Sequence, residues 1–99
     1  MQTNRKKIII LDKFGNKRYY KNINKRYIFH NKYGCAFQSK KNNYREYHIN
    51  GKLHNLLGPS MLDSNGRFVY FINNIFYSKR QFYDYLEIEE EREHENINI

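Results

Sequence analysis

The sequence predicts a mostly β protein: a single-layer antiparallel meander of hairpins, closed by one C-terminal capping α-helix. Three observations predict it. Asn50-Gly51 and Asn65-Gly66 are pairs that tolerate positive φ and favour two-residue hairpin turns. Between such turns lie short runs rich in Tyr, Phe, Ile and Val, as strands prefer. The runs and turns also recur, with a unit of 23–28 residues.

Taken in order, the first strand is 7–11, the run KIIIL. Asp12–Asn16 around Gly15 is a weaker turn that leads to a strand at 17–21. Strands at 26–30 and 35–39 follow, and then 44–49 and 52–54 flank Asn50-Gly51. Pro59 is read as opening a strand at 59–62, where its missing N–H costs little. The strand 67–72 follows Asn65-Gly66, and Asn73-Asn74 turns it into 75–77. Ser78 and Gln81 form a capping-box pattern, after which Phe82, Tyr85 and Leu86 share one helical face. The predicted organisation is a basic arm over 1–6, a hairpin repeat domain over 7–77, a helix over 78–91 and a loose acidic tail over 92–99.

The repeat is explicit in the letters. Leu62, Asp63, Gly66, Tyr70 and Asn73 fall 51 residues after Leu11, Asp12, Gly15, Tyr19 and Asn22. Tyr47, Ile49 and Asn50 precede Tyr70, Ile72 and Asn73 by 23, and His54, Gly58 and Ser60 follow His30, Gly34 and Ala36 by 24. Alternation then places Tyr19, Tyr47 and Tyr70 on one sheet face and Tyr20, His48 and Phe71 on the other.

These units resemble MORN repeat variants, found as tandem copies in small proteins of giant viruses, phages and some bacteria. Their unit reads Tyr-Tyr-x-Asn-Gly-Lys-x-His-Arg-x-x-Gly-Pro-Ala, followed by an Asn-Gly or Asp-Gly turn. EYHINGKLHNLLGPSMLDSNGRFVYFIN (46–73) is similar to it almost throughout, with Asn55 where arginine is usual and Ser60 where alanine is. The first unit keeps His30, Gly34 and Ala36, with an insertion between Asn22 and His30. The resemblance implies a run of β-hairpins and a scaffold or binding role, without catalysis. Membrane binding is claimed for some members, but no residue here supports it specifically.

A chain of 99 residues makes one small domain. Cys35 is its only cysteine, which excludes an intrachain disulfide and a four-cysteine zinc site and favours an intracellular setting, host cytoplasm or virion. The start MQTNRKKIIIL has only four consecutive apolar residues, too few for a signal-peptide core or a membrane span. Abundant Asn, Lys, Ile and Tyr have AT-rich codons, consistent with a viral or phage origin.

The net charge of +8 is unevenly spread. Residues 1–45 hold 13 Lys/Arg and one acid, whereas 87–99 hold six glutamates and Arg92. This pattern suggests a polyanionic partner or association of unlike ends. Three function classes follow. The first is a non-enzymatic interaction module that binds a protein or itself through an aromatic face containing Tyr19, Tyr47, Tyr70 and Phe71. The second is nucleic-acid binding through Lys17, Arg18, Lys21, Lys25, Arg26, Lys40, Lys41 and Arg45, interleaved with tyrosines able to stack on bases. In a third, minor reading the acidic tail mimics phosphates and inhibits a host defence protein. His30 and His54 with Lys52 could be forced into an acid–base pair for RNA cleavage, but equivalent repeat positions point to equivalent structural jobs. No cofactor, metal or small-molecule substrate is expected.

Overall fold

The structure, a computed structural model, describes residues 7–63 and 65–97, with side chains through Glu91. The strands are β1 (Lys7–Leu11), β2 (Lys17–Ile23), β3 (Arg26–Phe29), β4 (Phe37–Gln38), β5 (Arg45–Glu46), β6 (His48–Ile49), β7 (Lys52–Leu53), β8 (Met61–Leu62), β9 (Phe68–Ile72) and β10 (Ile75–Tyr77). One helix, α1 (Lys79–Ile97), follows. All strand pairs are antiparallel. The main sheet runs β1-β2-β4-β5-β8-β9-β10, with β3 also on β2 and β6–β7 as a separate ribbon. The protein is mostly β, the sheet is open, and the molecule is a thin plate of 51 × 46 × 18 Å.

Two kinds of turn recur, and the β4–β5 turn, where Ser39 Oγ accepts Asn42 N–H and Asn43 has φ 54°, belongs to neither. Asn50-Gly51 has positive φ at both residues, 53° and 79°, the signature of a two-residue hairpin turn. Asn73-Asn74 does the same at 50° and 68°, and so does Asn24-Lys25 at 51° and 66°. The other kind is built on a carboxylate. Asp12 Oδ1 accepts the N–H groups of Phe14 and Asn16, and Asp63 Oδ1 accepts those of Asn65 and Arg67. Gly15 (φ 85°) and Gly66 (φ 77°) complete these loops by donating back to the aspartate carbonyl at 3.1 Å. Asn65-Gly66 is therefore not the two-residue turn that its letters suggest. Asp63 N–H also donates to the Arg67 carbonyl at 3.1 Å, so the loop closes between these two residues and Asp63, two positions before Asn65, organises it.

The insertion in the first unit has a simple geometry. Tyr19 and His30 lie opposite each other at the hairpin base, joined by a 3.0 Å backbone bond, as do Tyr47 and His54. The first hairpin then runs on to Ile23↔Arg26, four pairs from its base, whereas the second reaches only Ile49↔Lys52, two pairs from its base. The four extra residues add two to each arm. An even addition keeps every side chain on its original face, so the repeat survives it.

Tyr19 and Tyr47 sit where a strand changes partner. Tyr19 N–H donates to Ala36 while its carbonyl accepts from His30, and Tyr47 uses Ser60 and His54 in the same way. At Tyr70, β9 passes likewise from β8 to β10. This exchange splits the expected strand 44–49 into β5 and β6. The expected strand 59–62 begins only at Met61. Pro59 stays in the loop, where its carbonyl accepts Asn55 Nδ2 at 2.9 Å, as the Cys35 carbonyl accepts Asn31 Nδ2 at 3.0 Å.

The helix is capped as its letters predict: Ser78 Oγ accepts from Gln81 N–H, and Gln81 Oε1 accepts from Ser78 N–H. It runs on to Ile97, beyond the end expected at Glu91. Residues 92–97 are thus helical rather than a loose tail, because nothing in EREHENI breaks a helix. The basic arm 1–6 lies outside the described residues. Phe82 is fully buried against Tyr70 and Ile72, with Tyr77, Tyr85 and Leu86 around them. Tyr77 occupies the position of His30 and His54, and Tyr85 packs edge-on against it at 5.8 Å. The helix therefore closes the place where a further hairpin would dock.

Candidate interaction face

The register decides which side chains share a face. The row Leu11–Lys17–Gln38–Arg45–Leu62–Phe68 crosses the sheet from β1 to β9. Alternation from this row puts Lys7, Ile9, Tyr19, Lys21, Tyr47, Tyr70 and Ile72 on the same side. This is the face that α1 covers, but only at its β9–β10 end. The opposite face carries a ladder of stacked rings, with Tyr20 on Phe29 at 4.8 Å and Phe29 on His48 at 5.0 Å. Phe71 belongs to that second face and packs edge-on with Phe76 at 5.9 Å.

The four aromatic candidates are thus not brought together. Tyr70 is buried, its ring 4.8 Å from Phe82, so it is core rather than contact surface. Phe71 faces the other way. Tyr19 and Tyr47 remain half-buried on the uncovered part of the face.

Tyr47 borders a cleft of about 560 Å³. Its walls are two equivalent loops, one carrying Tyr33 and Gly34 and the next carrying Leu57 and Gly58, with Ile49 and Leu62 also lining it. Asn31 Oδ1 accepts Tyr33 N–H and Asn55 Oδ1 accepts Leu57 N–H, so each loop is shaped by its asparagine. The result holds Tyr33 86% and Leu57 97% exposed at matching tips. The sequence reading counted Tyr33 among the tyrosines able to stack on bases and passed over Leu57. Their signal was present in the 24-residue spacing of Tyr33 and Leu57, two large apolar side chains in turn-rich segments.

The histidines have a shared structural role. His30 Nδ1 accepts the N–H of Asn50 at 3.0 Å, and His54 Nδ1 accepts that of Asn73 at 3.1 Å. Each clasps the turn of the following hairpin. Beside each clasp a backbone bond repeats, Gly51 N–H to Phe29 O and Asn74 N–H to Leu53 O. Burial holds both imidazoles below their ordinary pKa, and for His30 the charges of Lys21 and Lys32 push in the same direction. On the ladder face, Glu46 accepts from His48 Nε2 at 2.8 Å and from Tyr44 Oη. The His48 bond holds the Glu46 carboxyl below its usual range, against its burial. Tyr44 is pushed up, first by burial and then by its bond to Glu46. Burial also pushes the Cys35 thiol up, more than Arg45 and Lys17 lower it.

The eight basic candidates fall into two groups at opposite ends of β2. Lys17, Arg18, Lys40, Lys41 and Arg45 lie toward the Asp12 loop, where Lys40 N–H donates to Asn16 Oδ1. Lys21, Lys25 and Arg26 lie toward the other end, about 13–20 Å along the strand from Lys17. Arg18 is engaged by Asp12 at 3.0 Å and lies over the Phe37 ring. Arg45 is half-buried. Lys21 Nζ donates to Asn50 Oδ1. Among the described residues no group of three or more His, Cys, Asp or Glu could hold a metal, and no helix is long and apolar enough to cross a membrane. Comparison with known protein families, curated proteins and solved structures finds no match to this chain.

Proposed function

We propose that the protein is a non-enzymatic interaction module, of MORN-like hairpin repeats and viral or phage origin, working inside the cell. The observation that carries this reading is one aromatic sheet face that the chain's own helix covers at Tyr70 and leaves uncovered at Tyr19 and Tyr47. Half-buried aromatic side chains beside a cleft with exposed apolar tips suit protein contact. Engagement of both histidines by backbone donors supports a scaffold over an acid–base pair.

The experiment is affinity capture from host lysate in two halves, one nuclease-treated, with Tyr47→Ala beside the parent protein. Proteins retained in both halves and lost with Tyr47→Ala support the module. Circular dichroism of the variant confirms that it stays folded.

A second reading is nucleic-acid binding. Exposed Tyr27 beside Lys25 and Arg26, and exposed Tyr33 beneath Lys32, pair stacking surfaces with cations. Under that reading the captured proteins disappear with nuclease, and reversal of Lys25 and Arg26 abolishes binding. Inhibition of a host defence protein through the acidic helix is the remaining minor proposal.

A further inference from the structure

We propose that the uncovered end of this face docks the outward side of α1 from a second copy of the chain, in a reciprocal twofold dimer. The inference rests on the reading of this face as an interaction surface and names its occupant.

The receiving patch is small and defined by register. Lys7↔Lys21, Ile9↔Tyr19 and Leu11↔Lys17 are directly opposite pairs of β1 and β2, all six on one face. Ile9 is 54% and Leu11 63% exposed, large values for apolar side chains on a sheet face. Three lysines frame them, and Lys7 Nζ lies 5.5 Å from the Tyr19 ring centroid. An apolar centre framed by cations calls for a partner with an apolar group among acids.

The helix presents that surface. Phe82, Tyr85 and Leu86 point to its own sheet. At 100° per residue, Arg80, Asp84, Glu87, Ile88 and Glu91 then lie on the side turned away, whereas Tyr83 leans back onto Tyr70 with ring centroids 6.1 Å apart. All five are exposed, with Ile88 at 50% and three acids against the one cation. Asp84 to Glu91 spans about 10 Å of helix and Lys7 to Leu11 about 13 Å of strand, so charges and apolar groups can meet in step.

The placement is self-consistent. The helix lies over the β9–β10 end of the face and the patch lies at the β1–β2 end. Two plates facing each other in opposite directions place each helix between its own β9–β10 and the partner's β1–β2. The same contact is made twice and the assembly closes.

Sedimentation velocity tests this. The chain is expected to dimerise at low salt and to dissociate by at least tenfold in affinity at about 0.5 M salt, where screening is nearly complete. Glu87→Lys/Glu91→Lys alone and Lys7→Glu/Lys17→Glu alone are each expected to be monomers, since in each both contacts become repulsive. All four positions are exposed, so both variants keep the parent circular dichroism. Mixing the two variants restores a dimer, because each contact then pairs unlike charges. A monomeric parent chain, or a mixture that stays monomeric, overturns the proposal. If that same chain still captures a protein through Tyr47, the interaction module stands and only its occupant is wrong. If the parent dimerises but both variants dimerise equally well, the dimer uses another surface and the proposal fails.

Discussion

At His54, the imidazole Nδ1 takes the N–H of Asn73, and a proton on that nitrogen removes the acceptor. His30 and Asn50 repeat the arrangement. Both pKa values lie below the 6.5 of an unperturbed histidine. The unfolded chain therefore binds protons that the folded chain refuses. The stabilisation is fully present above 6.5 and is lost as pH falls through the folded-state values. Denaturant midpoints are expected to drop between about pH 7.5 and about pH 5.5, and His30→Leu/His54→Leu flattens the drop. Each replacement also costs about 0.5–1.5 kcal/mol at neutral pH, for one lost acceptor. Ser60 is a second residue with a local consequence. Its buried hydroxyl donates to Phe71 O at 2.8 Å and accepts from Phe71 N–H at 3.1 Å. The matching position upstream is Ala36, so the repeat pattern invites alanine here. Ser60→Ala is nevertheless expected to destabilise by about 1–3 kcal/mol, measured by urea titration, since it strips both partners at once.

Among the elements, the two-residue turns discriminate best. Gly51 has φ 79°, and a Cβ there meets Ile28 Cγ2 at 2.9 Å. Gly51→Ala is expected to cost about 1–2 kcal/mol. Lys25 occupies the equivalent second position at φ 66° and carries the same backbone penalty already. Lys25→Gly is therefore expected to raise stability by about 0.5–1 kcal/mol, the relief of strain exceeding the added freedom of the unfolded chain. Opposite signs at equivalent turns, read from thermal midpoints, check the assignment. The Asn24-Lys25 turn was hidden because lysine rarely adopts positive φ. The surrounding hairpin imposes it, with four consecutive pairs from Tyr20↔Phe29 to Ile23↔Arg26. Asn65-Gly66 misled in the other direction, because Asp63 supplies a competing carboxylate to the same loop.

Across the whole molecule, contacts run mainly from each hairpin to the next, and the only closed apolar cluster lies under α1 among the described residues. Phe82→Ala is expected to cost about 3–5 kcal/mol, a large part of the roughly 5–15 kcal/mol of a small domain. The loss is local first. Amide exchange in β9 and β10 is expected to accelerate more than in β2 and β3, as nearest-neighbour stacking requires. Equal acceleration in all hairpins would mean that the plate unfolds as one unit. The plate also explains how much of the face was legible. Alternation assigned Tyr19, Tyr47 and Tyr70 to one side, and the register agrees. Which of them the helix buries depends on where α1 lands, and no local pattern carries that.

By itself the sequence determined the hairpins, the capping box and the spacing of the repeat. These are written in short-range chemistry: Asn and Gly at positive φ, Ser78 with Gln81, alternating apolar strands. It also marked His30 and His54 as equivalent. Tertiary structure decided the rest. It converted the histidines into clasps on the next hairpin's turn, buried Tyr70 while leaving Tyr19 open, and parted the basic residues along β2. Each of these depends on a partner 10 or more residues away in sequence, such as Asn50 for His30 or Phe82 for Tyr70. A local pattern fixes where a side chain points from its own strand, and only the packed chain fixes what it meets.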